Sequence, residues 1–91
     1  MTPTLEEWYR ARTLGALGVA VKGAREAKGI TQETLAARIG SSRATISRLE
    51  RGSAVSTDTL LSAVAATGYE LVAIPRGARI RIEDRPWPAT S

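Results

Sequence analysis

Cysteine, histidine and phenylalanine do not occur in this chain. Without Cys and His there are no disulfides, no thiol nucleophile, no imidazole base and none of the usual zinc ligands. Nor are carboxylates clustered beside a Gly-rich loop, and no P-loop sequence is found. The residues therefore point away from an enzyme and imply no cofactor and no metal. Aromatics are scarce, with two Trp and two Tyr, so the core must be built from Ala, Leu, Val and Ile. No run of about 18 apolar residues exists to cross a bilayer. The N-terminus lacks the basic segment, apolar run and cleavage site of a secretory signal, so a cytoplasmic protein is expected.

What is present is an ordinary globular composition in 91 residues, 43% hydrophobic and 24% charged. That length allows one domain with a modest core. Thirteen Lys and Arg against nine Asp and Glu give a net charge of +4 and a pI near 10.3. Such a balance suits a polyanionic partner such as nucleic acid, although many basic proteins bind nothing anionic.

Punctuation by hydroxyl and glycine residues divides the chain. Thr4 and Glu7 fit a capping box for a short N-terminal helix, with Leu5, Trp8 and Tyr9 on one face. Leu14, Leu17, Val21 and Ala24 continue a helical stripe towards Lys28, where Gly29 is a stop. Gly15, Gly18 and Gly23 weaken this helix by about 1 kcal/mol each relative to Ala. Either they allow close packing, or the helix breaks near Thr13 to Gly15. Thr31 caps the next element, with Leu35, Ala36 and Ile39 as its buried stripe and Gly40 as its end. A third helix is expected from about Ser42 to Gly52, and a fourth from Ser56 or Thr57 to Gly68. Two short helices around a Gly-containing turn make a helix-turn-helix. Beyond Gly68 the period changes. The run from Tyr69 to Ile74, the Pro75-Arg76-Gly77 turn and the alternation from Arg79 to Glu83 predict short strands or a hairpin. The expected organisation is an N-terminal helix at 1–13, a DNA-binding domain at 14–68, a dimerisation segment at 69–83 and a tail at 84–91.

At about 100° per residue, Ile46 and Leu49 share one side of the third helix. Arg43, Ala44, Ser47, Arg48 and Arg51 lie opposite. Arginine can hold guanine O6 and N7 with two hydrogen bonds at once, a hydroxyl can reach a base edge or a phosphate, and alanine permits close approach to a thymine methyl. Taken alone, this is equally a solvated arginine face. The short helix and turn before it favour a DNA-reading helix.

The pattern from Leu17 through Val21, Arg25, Gly29-Ile30-Thr31-Gln32, Leu35-Ala36, Ile39-Gly40 and Ile46 to Gly52 resembles the Xre/Cro-type helix-turn-helix regulators. The resemblance covers about Leu14 to Gly68. It implies a mainly α, phage-repressor-like domain of four to five helices; the C-terminal β-strand or hairpin read from the alternation after Gly68 is expected to be shared in a dimer, since a lone hairpin is marginal in water. It implies base contacts from Arg43, Ala44 and Arg48, and contacts to bases or backbone from Thr45 and Ser47. Gln32 matches a residue that touches phosphate and braces the recognition helix. Backbone amides near Val55 and Ser56 match a phosphate-holding turn, and Ser42 and Arg51 fall among the expected phosphate contacts. Arg25 and Glu50 match a buried structural ion pair. One departure is the loop Ser53 to Asp58, which carries no base and one acid. Lys22, Lys28 and Arg38 either compensate or are solvated surface.

Two such helices about 34 Å apart read an inverted repeat, so a homodimer is expected. Tyr69, Leu71, Val72 and Ile74 are the expected dimerisation residues, with a hairpin packed on its own domain as the alternative. A strand after the fourth helix is similar to HipB-type antitoxins, which would make the protein an autorepressing antitoxin with a toxin partner anchored in part by Trp87. The competing readings are a Cro-like repressor without a toxin, and an interaction module that has lost DNA binding.

Overall fold

A computed structural model describes residues 8–82. Four helices follow one another in the chain: α1 (Leu14–Ala27), α2 (Gln32–Arg38), α3 (Arg43–Glu50) and α4 (Thr57–Ala66). Each starts and stops by the same chemistry. Thr13, Thr31, Ser42 and Ser56 are the N-caps, and each hydroxyl accepts from the backbone N–H three residues on. This satisfies one of the amides that a helix start leaves without an intrahelical partner. At the other ends Gly29, Gly40, Gly52 and Gly68 take positive φ. At Gly40 (φ 67) the reversal lets the Ser41 N–H reach Ala36 O at 2.8 Å, closing α2 in a Schellman motif. That reversal turns the chain sharply from α2 into α3.

The core is small and aliphatic, as the scarcity of aromatics requires. Val21, Leu35, Ala36, Ile46, Leu49, Ala63 and Val64 form one buried cluster, with Ile30, Ile39, Val55, Leu60, Ala66 and Tyr69 packed against it. Leu35 and Ile46 are fully buried. The apolar stripe of α1 is buried at Val21 and Ala24, whereas Leu14 at its start is exposed.

Of the three glycines of α1, Gly18 is the one that close backbone packing requires, and the helix is unbroken from Leu14. A Cβ on Gly18 would stand 2.5 Å from Leu49 O and 2.6 Å from Glu50 O. The backbones of α1 and α3 therefore touch there. Gly15 lies against Gly52, and Gly23 lies against the hydroxyl end of Tyr9.

Two expectations are corrected. Residues 8–12 lie outside any helix, and Leu5 and the Thr4–Glu7 capping box fall outside the described residues. Tyr9 finds its partners instead on Gly23 and on Tyr69, whose ring centroid lies 5.7 Å from its own. The second correction concerns the C-terminal strand or hairpin: no strand forms among the described residues. Only the turn does, with the Ala78 N–H donating to Pro75 O at 3.1 Å and Gly77 at φ 83. Leu71, Val72, Ile74 and Ile82 stay exposed. Two isolated short segments gain too little from pairing to hold a ladder in water.

Candidate nucleic-acid interface

The placement of α3 follows from its two aliphatic side chains. Ile46 and Leu49 are three residues apart and face the same way. Both are buried in the cluster with Leu35 and Ala36 of α2. Their burial turns Arg43, Ala44, Arg48 and Arg51 outward, and all four are exposed. Thr45 and Ser47 sit half-buried at the edge of that face. At the head of the helix, Ser42 Oγ accepts from the Thr45 N–H at 3.1 Å and pairs with Thr45 Oγ1 at 2.9 Å. Ser42 and Thr45 thus close the helix cap through these bonds while remaining at the surface or its edge.

The three arginines are held differently. Arg48 Nη2 donates to Ala54 O at 3.1 Å, tying α3 to the loop before α4. Arg51 Nη1 donates to Ser47 Oγ at 2.6 Å, one turn back along the helix. Arg43 Nε lies 3.7 Å from Glu33 Oε2 on α2. Residue-type and spacing arguments on α3 alone miss both the Glu33 and the Ala54 contacts. Their partners are on other segments, and only the docking of α2 and the loop brings them near.

Behind this face sits a buried polar network. Arg25 Nε donates to Glu50 Oε2 at 2.7 Å and Arg25 Nη2 to Glu50 Oε1 at 3.1 Å. The side chains are 10% and 3% exposed. Arg25 Nη1 also donates to Ile30 O at 2.8 Å, and Gln32 Nε2 to Glu50 Oε1 at 3.0 Å. The hydrogen bond to Glu50 raises the pKa of Arg25 above its ordinary value, against the effect of burial. Arg25 therefore remains protonated throughout the working pH range. The network joins α1, the start of α2 and the last residue of α3, which fixes where α3 ends. Gln32 is the half-buried member, at the edge between this network and the surface.

Val55 is packed against the core, and Ser56 is the N-cap of α4. Ser56, Thr57 and Asp58 are exposed, in a loop that is without basic side chains, and the Thr59 N–H is taken up by Ser56 Oγ at 3.1 Å. Lys22, Lys28 and Arg38 are exposed. Of the expected dimerisation residues, Leu71, Val72 and Ile74 are exposed, whereas Tyr69 packs on its own core and on Tyr9. Trp87 lies outside the described residues.

No helix among the described residues is long and apolar enough to cross a membrane. No curated protein matches the chain. The helix-turn-helix family model matches residues 21–74, from within α1 to the segment after α4 and across the whole of α2, its turn and α3. With more than half its length so matched, and with the arginine-bearing face of α3 turned outward, the chain belongs to the Xre-like helix-turn-helix family of DNA-binding transcription regulators.

Proposed function

We propose that the protein is a sequence-specific repressor that places α3 in the major groove of an inverted-repeat operator, one copy to each half-site. The observation that carries this reading is the two-sidedness of α3. Ile46 and Leu49 are buried while Arg43, Ala44 and Arg48 are exposed on the opposite side. Arg43, Ala44 and Arg48 read bases, with Thr45 and Ser47 at the edge of the contact. Gln32, Ser42, Arg51 and the amides near Val55 and Ser56 position the phosphate backbone. A helix of two turns spans few base pairs, so useful affinity calls for a second copy. The exposed apolar side chains of Leu71, Val72 and Ile74 offer the surface for it.

The antitoxin reading drew on a strand after the fourth helix, and no strand forms among the described residues. The proposal is therefore the function common to the antitoxin and Cro-like readings, namely repression through sequence-specific binding of an operator. Trp87 remains the candidate anchor for a toxin, and co-purification with the product of the neighbouring gene decides between the two readings.

The test is binding to duplex DNA from upstream of the protein's own gene, measured against salt. Counterion release gives a slope of about −0.9 in log K per phosphate neutralised. A steep slope with a protected inverted repeat in a footprint is expected. Equal, weak binding to all duplexes would refute sequence-specific repression.

A further inference from the structure

Arg43, the first residue of α3, meets Glu33, the second residue of α2, across the turn that joins the two helices. The contact is an ion pair of 3.7 Å between Arg43 Nε and Glu33 Oε2, with 65% and 68% of the two side chains exposed. We propose that Glu33 is a specificity-determining positioning residue. Its carboxylate holds the Nε side of the Arg43 guanidinium, so that the two terminal nitrogens are presented together to the O6 and N7 of one guanine. The inference rests on the reading of α3 as the groove-facing helix.

The guanidinium has five N–H donors in a rigid plane. A bidentate hold on guanine needs two of them from one edge. With Nε the guanidinium nitrogen near the carboxylate, at 3.7 Å, the Nη1–Nη2 edge is the one left to project. An arginine without such a neighbour loses more rotamer freedom on forming the fork, and can settle on a phosphate instead. Arg48 and Arg51 are each directed to a neutral oxygen of the protein itself, Ala54 O and Ser47 Oγ. Arg43 is paired with a charged group that stands on another helix and keeps its own exposure to the same surface.

In free solution so exposed a pair contributes little to stability. Pressed against a base pair, with water displaced, the attraction strengthens as the effective dielectric falls. The same carboxylate repels the phosphates of any duplex, whatever its sequence. Glu33 thus weakens binding to all DNA while sharpening the choice at one base pair. A residue that merely supported the fold would not act in these two opposed directions.

The experiment uses the full chain as wild type, Glu33→Gln, Glu33→Ala, Arg43→Ala and the Glu33→Ala/Arg43→Ala double variant. A duplex is selected from a randomised library with the wild type. Affinities are then measured for that duplex, for each single-base-pair change in it, and for an unrelated duplex of equal length. Both Glu33 variants are expected to bind the unrelated duplex more tightly than the wild type. Their preference for guanine at one position falls from about tenfold to about twofold, since a bidentate pair sets discrimination on that order. Arg43→Ala loses preference at the same position, and the double variant loses nothing further there. Melting temperatures of the Glu33 variants match that of the wild type.

Full retention of the guanine preference in Glu33→Ala overturns the proposal. So does a loss at a position that Arg43→Ala does not affect, or a loss accompanied by a lowered melting temperature. A wild type that selects no site and shows no salt-dependent binding refutes the DNA-reading assignment itself. That outcome is distinct from a wild type that selects a site whose preferences Glu33 leaves untouched.

Discussion

Glu50→Ala tests the internal frame on which α3 is mounted. The carboxylate accepts three hydrogen bonds, two from Arg25 and one from Gln32, and its side chain is 3% exposed. Truncation leaves the Arg25 guanidinium with Ile30 O as its remaining acceptor in a largely water-free site. It also leaves Gln32 Nε2 without its acceptor. A hydrogen bond to a charged group contributes about 1.5–3 kcal/mol, so the two from Arg25 sum to about 3–6 kcal/mol. Entry of water into the vacated space offsets part of this, giving about 3–5 kcal/mol, the range for breaking one side of a buried pair. At about 0.05–0.15 kcal/mol per residue, that is a large share of the stability of a domain this size. Urea titration followed by circular dichroism measures the loss. A double-mutant cycle with Arg25→Met and Glu50→Leu isolates the pair. Each single change orphans a buried group, whereas the double change removes both charges. The double variant is therefore expected to be more stable than either single variant. Since the pair is buried, the coupling energy is insensitive to added salt. A loss below about 1 kcal/mol in Glu50→Ala, or additive single changes, would show that the pair is not closed in solution.

Gly18→Ala gains about 1 kcal/mol of helix propensity but drives a Cβ into two backbone carbonyls of α3, at 2.5 and 2.6 Å. Overpacking against unyielding backbone costs up to about 3 kcal/mol, so a net loss of about 2 kcal/mol is expected in thermal unfolding; a gain would mean that α1 and α3 do not touch there. Arg43→Ala is expected to cost about 1–3 kcal/mol at one base pair of a selected site, whereas an even loss over all sequences would make it a phosphate contact. Arg48→Ala leaves the melting temperature nearly unchanged, because its bond to Ala54 O is exposed, and lowers DNA affinity; unchanged affinity would remove Arg48 from the interface. Combined Leu71→Ser and Val72→Ser substitution is expected to give monomers in sedimentation, and a dimer that persists would place the contact elsewhere.

Much of the candidate site was legible before any coordinates, because its determinants are local. A hydroxyl before α2, α3 and α4 and a glycine after each helix mark their bounds within a residue or two, whereas the Thr13 cap of α1 emerges only in the structure. The three-residue spacing of Ile46 and Leu49 then specifies which side of α3 is outward. At 8–12 and 70–82 the structure departs from the expected helix and strands. A local pattern states what a segment can form if something packs against it. Tyr9 instead sets its hydroxyl end against Gly23 of α1, and residues 70–82 have no third strand to complete a sheet.

By itself the sequence determined the number of helices between 14 and 68, the caps of α2, α3 and α4 and the outward face of α3. These depend on contacts within three or four residues, which spacing encodes directly. Only the tertiary structure decided that Gly18 is a contact point for α3, that Glu33 stands against Arg43, and that Arg48 leans on Ala54. Those pairings depend on the angle at which one helix lies on another. That angle is set by how the whole aliphatic core fills its space, and no local pattern records it.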